Sequence, residues 1–155
     1  MTVPAPATNS AGKFTGPVVW VAACALIDAD GRVLITQRPA GKDHAGLWEF
    51  PGGKIEPGER PEETIVRELY EELSVEPCLD CLEPLTFASH AYETFQLVMP
   101  TYVCRQWDGI VRPREGQMTK WVWAEDIIKL PLVPADKPLA EQLAARLPKG
   151  RRFLR

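Results

Sequence analysis

The residues in this chain with the clearest capacity for chemistry are glutamates. Glu68, Glu71 and Glu72 stand at i, i+3 and i+4, inside a stretch from Gly52 to Val75 that opens on a double glycine and is crowded with acidic side chains. On a helix, which turns about 100° per residue, these three share one face within an arc of roughly 100°. Like charges so placed repel each other, at about 0.2–0.5 kcal/mol per pair. A face built only for solvent would intersperse lysines, yet Arg67 is the only cation between Pro61 and Val75. Carboxylate oxygens clustered on a rigid helix are the ligands that a hard divalent cation takes. Mg2+ in particular is held by a few carboxylates together with substrate phosphates. The helix that must present them is legible. Pro61 suits a first turn, where its missing N–H would be unbonded anyway, and Glu62 and Glu63 fall where the helix dipole favours carboxylates. Ile65, Leu69 and Leu73 recur every fourth residue with Val66 beside them, so a core-facing stripe runs along the flank of the acidic face.

These residues carry a resemblance. Gly53, then Glu59, then Arg67-Glu68-Leu69-Tyr70-Glu71-Glu72-Leu73-Ser74-Val75 resembles the Nudix box, G-x5-E-x7-R-E-U-x-E-E-x-G-U with U aliphatic. The one departure is Ser74, where the family has glycine. That position ends the helix, where a left-handed residue is common, and serine held there costs on the order of 1 kcal/mol. No ligand is lost by the change. Outside the box, ITQRPAGKDHAGLWEFPGGKIEPGE resembles the lead-in of the MutT branch of that family. VRPREGQ is similar to the loop of that branch that carries a further glutamate, and PLVPADKPL to the loop whose residue reads the base. The same features also resemble the CTP pyrophosphohydrolase branch, whose last loop likewise carries Pro-Ala-Asp.

The resemblance implies a Mg2+-dependent nucleoside triphosphate pyrophosphohydrolase, with Mn2+ able to substitute, releasing a nucleoside monophosphate and pyrophosphate. It assigns metal binding to the carbonyl of Gly52 or Gly53 and to Glu68, Glu71, Glu72 and Glu115. These four glutamates are also the catalytic candidates, one of them acting as general base. Glu59 is expected to pair with Arg67 and orient the others. Substrate contacts are expected from Arg38, Glu49, Phe50, Pro51, Gly52, Lys54, Tyr92 and Asp136, with Arg38 and Lys54 the natural cations for phosphate. Tyr92 and Trp48 serve either a base pocket or the core. Where the MutT branch commonly has asparagine, this chain has Asp136. A buried, protonated aspartic acid both donates and accepts, as asparagine does. An ionised one only accepts and suits a base edge rich in donors, such as the amine of cytosine. The first expectation is an oxidised purine such as 8-oxo-dGTP, in the cleansing of the nucleotide pool. A pyrimidine triphosphate is the second, and a nucleotide-sensing module without catalysis the third.

The rest of the chain supplies the scaffold. At 155 residues it fits one domain with a real core, and 45% apolar with 25% charged residues is a soluble globular composition. A net charge of −3 gives no electrostatic case for a nucleic-acid polymer as partner. No apolar run approaches membrane-spanning length, and the start lacks the pattern of a secretory signal, so the expected place is the cytoplasm, as a monomer or weak homodimer. Residues 1–16 read as a disordered tail, 17–147 as the domain and 148–155 as a basic tail. Within the domain, 17–29 reads as a buried central strand, Asp30-Gly31 as a hairpin signal and Val33–Gln37 as the returning strand. Residues 48–50 form a short strand before the glycines. After the acidic helix come strands at 85–92, 95–107 and 120–123, a short helix at 124–130 and a last helix at 139–147. This order gives an α/β (α+β) class, sharpened by the resemblance to an α/β/α sandwich around a mixed sheet. Cys24 and Cys104 read as core residues. Cys78-Leu-Asp-Cys81 is a C-x-x-C without a second pair, and His44 and His90 are the only histidines. It therefore reads as reduced thiols rather than a zinc site.

Overall fold

The computed structural model describes Thr8 and residues 11–147. The expected N-terminal tail falls mostly outside these residues, apart from an isolated bridge between Thr8 and Phe14, and the basic tail at 148–155 lies wholly outside.

The central strand is β1 (Val18–Leu26), whose C-terminal half is buried on both faces. Ala22, Cys24 and Leu26 point into one apolar cluster, and Ala23, Ala25 and the following Ile27 into the other. That period-two division is why residues 17–29 read as an apolar run rather than an alternating one. Both hydrogen-bonding edges of β1 are occupied. On one side β4 (Gly52–Lys54) runs antiparallel to it. On the other β7 (Gln96–Cys104) runs parallel, with β6 (Glu83–Ala91) beyond, giving the order β4-β1-β7-β6. β2 (Val33–Gln37) therefore cannot return along β1 as the hairpin signal predicts. It touches the end of β1 only through an Ile27–Val33 bridge and forms a second sheet, β3-β2-β9, with β3 (Trp48–Glu49) and β9 (Met118–Val122). The turn between is held by Asp28, whose carboxylate accepts from the N–H of Asp30 (3.0 Å) and of Arg32 (2.8 Å).

Helix α1 (Pro61–Leu73) lies on one face, with Ile65, Leu69 and Leu73 fully buried against Ala22, Cys24, Leu26 and Tyr102. On the opposite face sit α2 (Ala124–Ile127) and α3 (Lys137–Arg146), with Ile127, Leu139 and Leu143 in the other cluster. The result is the expected helix–sheet–helix sandwich around mixed strands. Helix α3 starts two residues earlier than expected because Pro138 belongs in its first turn rather than before it. No described helix is long and apolar enough to cross a membrane.

Two local features bear on later sections. Ser74 adopts the left-handed conformation (φ 62°), and its N–H donates to the Tyr70 carbonyl at 3.1 Å. Replacing Ser74 by glycine relieves that conformation. It should stabilise the protein by about 0.5–1 kcal/mol, a rise in Tm of roughly 1–4 °C. An unchanged or lower melting temperature would count against the strain. The second feature corrects an expectation. Cys78 and Cys81 are not free thiols but are joined in a disulfide. The short turn at Leu79–Cys81, in which the Cys81 N–H donates to the Cys78 carbonyl at 3.0 Å, brings their Cα atoms to 5.1 Å, within bridging reach. β5 (Glu76–Pro77) pairs with β8 (Trp107–Asp108) beside it, and that second strand is the separate continuation of the expected 95–107 run. Cys24 and Cys104 are free and buried, as expected.

Candidate active site

The double glycine brings β4 against both β1 and α1. The Pro51 carbonyl accepts from the Cys24 N–H at 2.9 Å. A side chain on Gly52 would run into the Ala22 carbonyl, and one on Gly53 into the carboxyl group of Glu68. Gly52 needs its missing side chain to lie against the backbone of β1, and Gly53 lies directly beside Glu68 of the acidic helix.

Around this junction lies a cavity of about 270 Å3. Glu72, Glu115, Glu49, Arg38, Lys54 and Asp136 line it, together with Gly52, Gly53 and Phe50. So residues far apart in sequence do converge on one place. Glu72 is the most perturbed of the helix glutamates. Burial, then the neighbouring Glu68, then Glu115 push its carboxyl up to about 9. Glu49 is also raised, by burial, against the opposing pull of Arg38, whose Nη1 lies 3.2 Å from its carboxylate.

Glu68 and Glu71 are engaged by Arg67. Its Nη1 donates to Glu68 Oε1 at 2.7 Å and lies 3.7 Å from Glu71 Oε2, and the Glu71 side chain is 55% exposed on the flank of the helix. Neither is among the residues lining the cavity. Arg67 also grips Glu59 with two hydrogen bonds, Nε to Oε2 at 2.8 Å and Nη2 to Oε1 at 2.9 Å, the pairing expected from sequence. Those bonds, then one from the Glu56 N–H, hold the Glu59 carboxyl down at about 2, from an ordinary 4.5. A depressed carboxyl contributes stability above its ordinary value and loses it as pH falls through the folded one. The stability advantage of wild type over Glu59→Gln should therefore shrink between pH 4.5 and about 2 in urea titrations. A pH-independent difference would refute the linkage.

Among the described residues, no three His, Cys, Asp or Glu side chains stand ready-made around one ion position. The donor chemistry still fits a hard divalent cation. The donors are all oxygens, and burial, then the charges of Glu68 and Glu115, favour the protonated form of Glu72, which a bound cation would displace. Arg67 would have to share Glu68 and Glu71 with such an ion.

Asp136 is buried, 4% exposed, and it does not cap α3 with its side chain. Instead its Oδ2 accepts from the Phe50 N–H at 3.1 Å. Burial, then Glu49, raise its carboxyl well above the usual range. Tyr92 lines an adjoining cavity of about 610 Å3 that shares Arg38, Lys54 and Leu97 with the first. It stacks on Phe95 at 4.9 Å between ring centroids and meets His90 edge-on at 4.5 Å. Trp48 takes the other of its two expected roles: it is 5% exposed in the core, with Lys120 Nζ 4.7 Å from its ring centroid.

Two residues at the site carry no sequence pattern that points to them. Lys42, in the 39–47 loop, reaches Glu115 with its Nζ 3.7 Å from Oε2. Gln117 is buried and bridges Glu115 to α1.

Comparison with known proteins places the chain in a family. The model of the NUDIX domain family matches residues 17–143. The CTP pyrophosphohydrolase of Escherichia coli K12 is 40% identical over 123 residues, covering 78% of this chain and 88% of that protein. The 8-oxo-dGTP diphosphatase of Haemophilus influenzae is 33% identical over 133 residues, covering 81% and 91%. Among solved structures, the solution structure of the E. coli ORF135 protein superposes with a TM-score of 0.74 at 34% identity, covering 84% of this chain and 91% of that one.

Proposed function

This chain belongs to the Nudix hydrolase family and is a nucleotide pyrophosphohydrolase; from that premise we propose that it cleaves nucleoside triphosphates at an internal phosphorus, with Asp136 selecting the base. Water adds to the phosphorus, the bridging P–O bond breaks, and nucleoside monophosphate and pyrophosphate leave. Gly52 or Gly53, through its carbonyl, and Glu68, Glu71, Glu72 and Glu115 would hold Mg2+, or Mn2+ in its place, which neutralises phosphate oxygens and acidifies the attacking water. The chain's own part is to position and to move the proton. Lys54 and Arg38 face the phosphates, the latter while shared with Glu49. One of the crowded carboxylates takes the proton from water.

The observation that carries the substrate reading is the buried Asp136 bonded to the Phe50 N–H. A carboxyl in that setting stays protonated, so it offers a donor beside an acceptor, as asparagine would. The Hoogsteen edge of 8-oxoguanine presents the matching pair, O6 to accept and N7–H to donate. We therefore put 8-oxo-dGTP first, within a cytoplasmic role in keeping the nucleotide pool clean. A second reading is favoured by the 40% identical CTP pyrophosphohydrolase: the same donor–acceptor pair fits the ring nitrogen and amine of cytosine. The deciding experiment is kcat/KM across 8-oxo-dGTP, dGTP, CTP, 5-methyl-dCTP and 2-hydroxy-dATP, with products identified. A preference for 8-oxo-dGTP over dGTP and CTP supports the first reading. A preference for cytosine nucleotides replaces it with the second. Release of orthophosphate from triphosphates would overturn both.

A further inference from the structure

We propose that Gln117 is a positioning residue that fixes Glu115 against the glutamates of α1, an assignment that rests on Glu115 belonging to the reaction site. Its side chain makes two bonds in opposite senses. Nε2 donates to the Glu72 carbonyl at 3.0 Å, and Oε1 accepts from the Glu115 N–H at 2.9 Å. Glu72 lies in the last turn of α1, where carbonyls have no helical partner, so the bond is made to a group that needs a donor. The surrounding loop docks on the same helix end. The Arg114 N–H donates to the Glu72 carbonyl at 2.9 Å and the Arg112 N–H to the Leu73 carbonyl at 2.8 Å. Neither of those holds Glu115 itself, which follows Arg114 and precedes Gly116, a glycine at φ 76°. The Gln117 amide ties the backbone of Glu115 to the backbone of Glu72, and both glutamates line the same cavity.

The residue type is the one this task requires. Gln117 is 8% exposed, so its polar atoms must be satisfied inside the protein. A side-chain amide donates at one atom and accepts at the other without any change of charge. Leucine at this position would fill the space, take from the Glu115 N–H its bond to Gln117, and leave the Glu72 carbonyl with the Arg114 N–H alone. Glutamate would turn an acceptor toward the Glu72 carbonyl and place another carboxyl beside two that already repel.

The test compares Gln117→Leu and Gln117→Glu in the wild-type and Glu115→Gln backgrounds. In the wild-type background either change should lower kcat by about 30-fold, with KM moving less than about threefold. In the Glu115→Gln background the further loss should be less than about threefold, because the group being positioned is already disabled. In the metal-free protein, amide exchange at Glu115 should be protected in wild type and fast in the leucine variant, which has no acceptor for that N–H, a readout independent of turnover. An unchanged kcat, an equal loss in both backgrounds, or fast exchange at Glu115 in wild type would each overturn the role. Should the leucine variant not fold, the same-sized glutamate variant decides by the same outcomes. If Glu115→Gln alone keeps wild-type turnover, this inference falls while the pyrophosphohydrolase reaction stands.

Discussion

Replacing Glu72 by glutamine is expected to lower kcat by about 1,000-fold or more and, in the absence of divalent cations, to make the protein more stable. The first effect follows from losing a cavity-lining oxygen donor assigned to the metal and a candidate base. The second follows from linkage. Burial and the charges of Glu68 and Glu115 raise the Glu72 carboxyl to about 9, so the folded state prefers it protonated. A raised carboxyl contributes its stability below its ordinary value and loses it as pH rises through the folded one. Glutamine keeps the shape and carries no such loss. The advantage of the variant should therefore be small at pH 4.5 and grow toward pH 9, seen as a widening gap in Tm. Mg2+ should reverse the order, because it stabilises the wild type more than the variant. Calorimetry at several pH values, with chelator and then with Mg2+, checks both halves. A variant that is less stable without metal at pH 8, or that turns over normally, would contradict the assignment.

The second large effect concerns Asp136. Asp136→Ala should cut kcat/KM for the preferred triphosphate by about 100-fold, since it removes both the contact to the base and the partner of the Phe50 N–H. Asp136→Asn should keep kcat/KM within about tenfold, because it retains a donor beside an acceptor. The two differ most clearly in pH dependence. Wild-type kcat/KM should fall as pH rises through the elevated value of the Asp136 carboxyl, and the asparagine variant should lack that limb. The sign for stability is the same. The wild type loses stability as Asp136 is forced to ionise, so the asparagine variant gains on it with rising pH. If the asparagine variant loses activity as completely as the alanine variant, an ionised carboxylate is what the substrate requires, and the neutral-acid reading fails.

What the sequence made legible was set by local periodicity and local chemistry. Helix α1, its buried stripe and the strained serine at its end all follow from residue types within one short stretch, and the structure has each of them. The two faces of β1 were legible as an apolar run, but its neighbours were not. A period of two says which way a side chain points and nothing about which edge of the strand a partner occupies. This is why the Asp30-Gly31 turn misled: β4 and β7 had already taken both edges. The glutamates were found by type, while their present partners were not. The arginine expected to pair with Glu59 also engages Glu68 and Glu71, which spacing alone cannot reveal. Gln117 and Lys42 were missed because they act through contacts across the chain, on residues 45 and 73 positions away. The disulfide escaped because C-x-x-C is compatible with thiols and bridge alike, and only the turn between the cysteines decides.

The short segment from Phe50 to Gly53 has a metric consequence. Its first N–H is bonded to the carboxyl assigned to the base, and its last glycine abuts Glu68 of the helix assigned to the metal that would grip the phosphates. Three residues of chain can span at most roughly 10 Å. On that assignment the segment works as a ruler laid along the nucleotide, fixing how far the recognised edge of the base lies from the phosphorus that water attacks. A substrate is then admitted by length as well as by hydrogen bonding. A base whose edge reaches Asp136 only by pulling its phosphates out of register would bind without being cleaved.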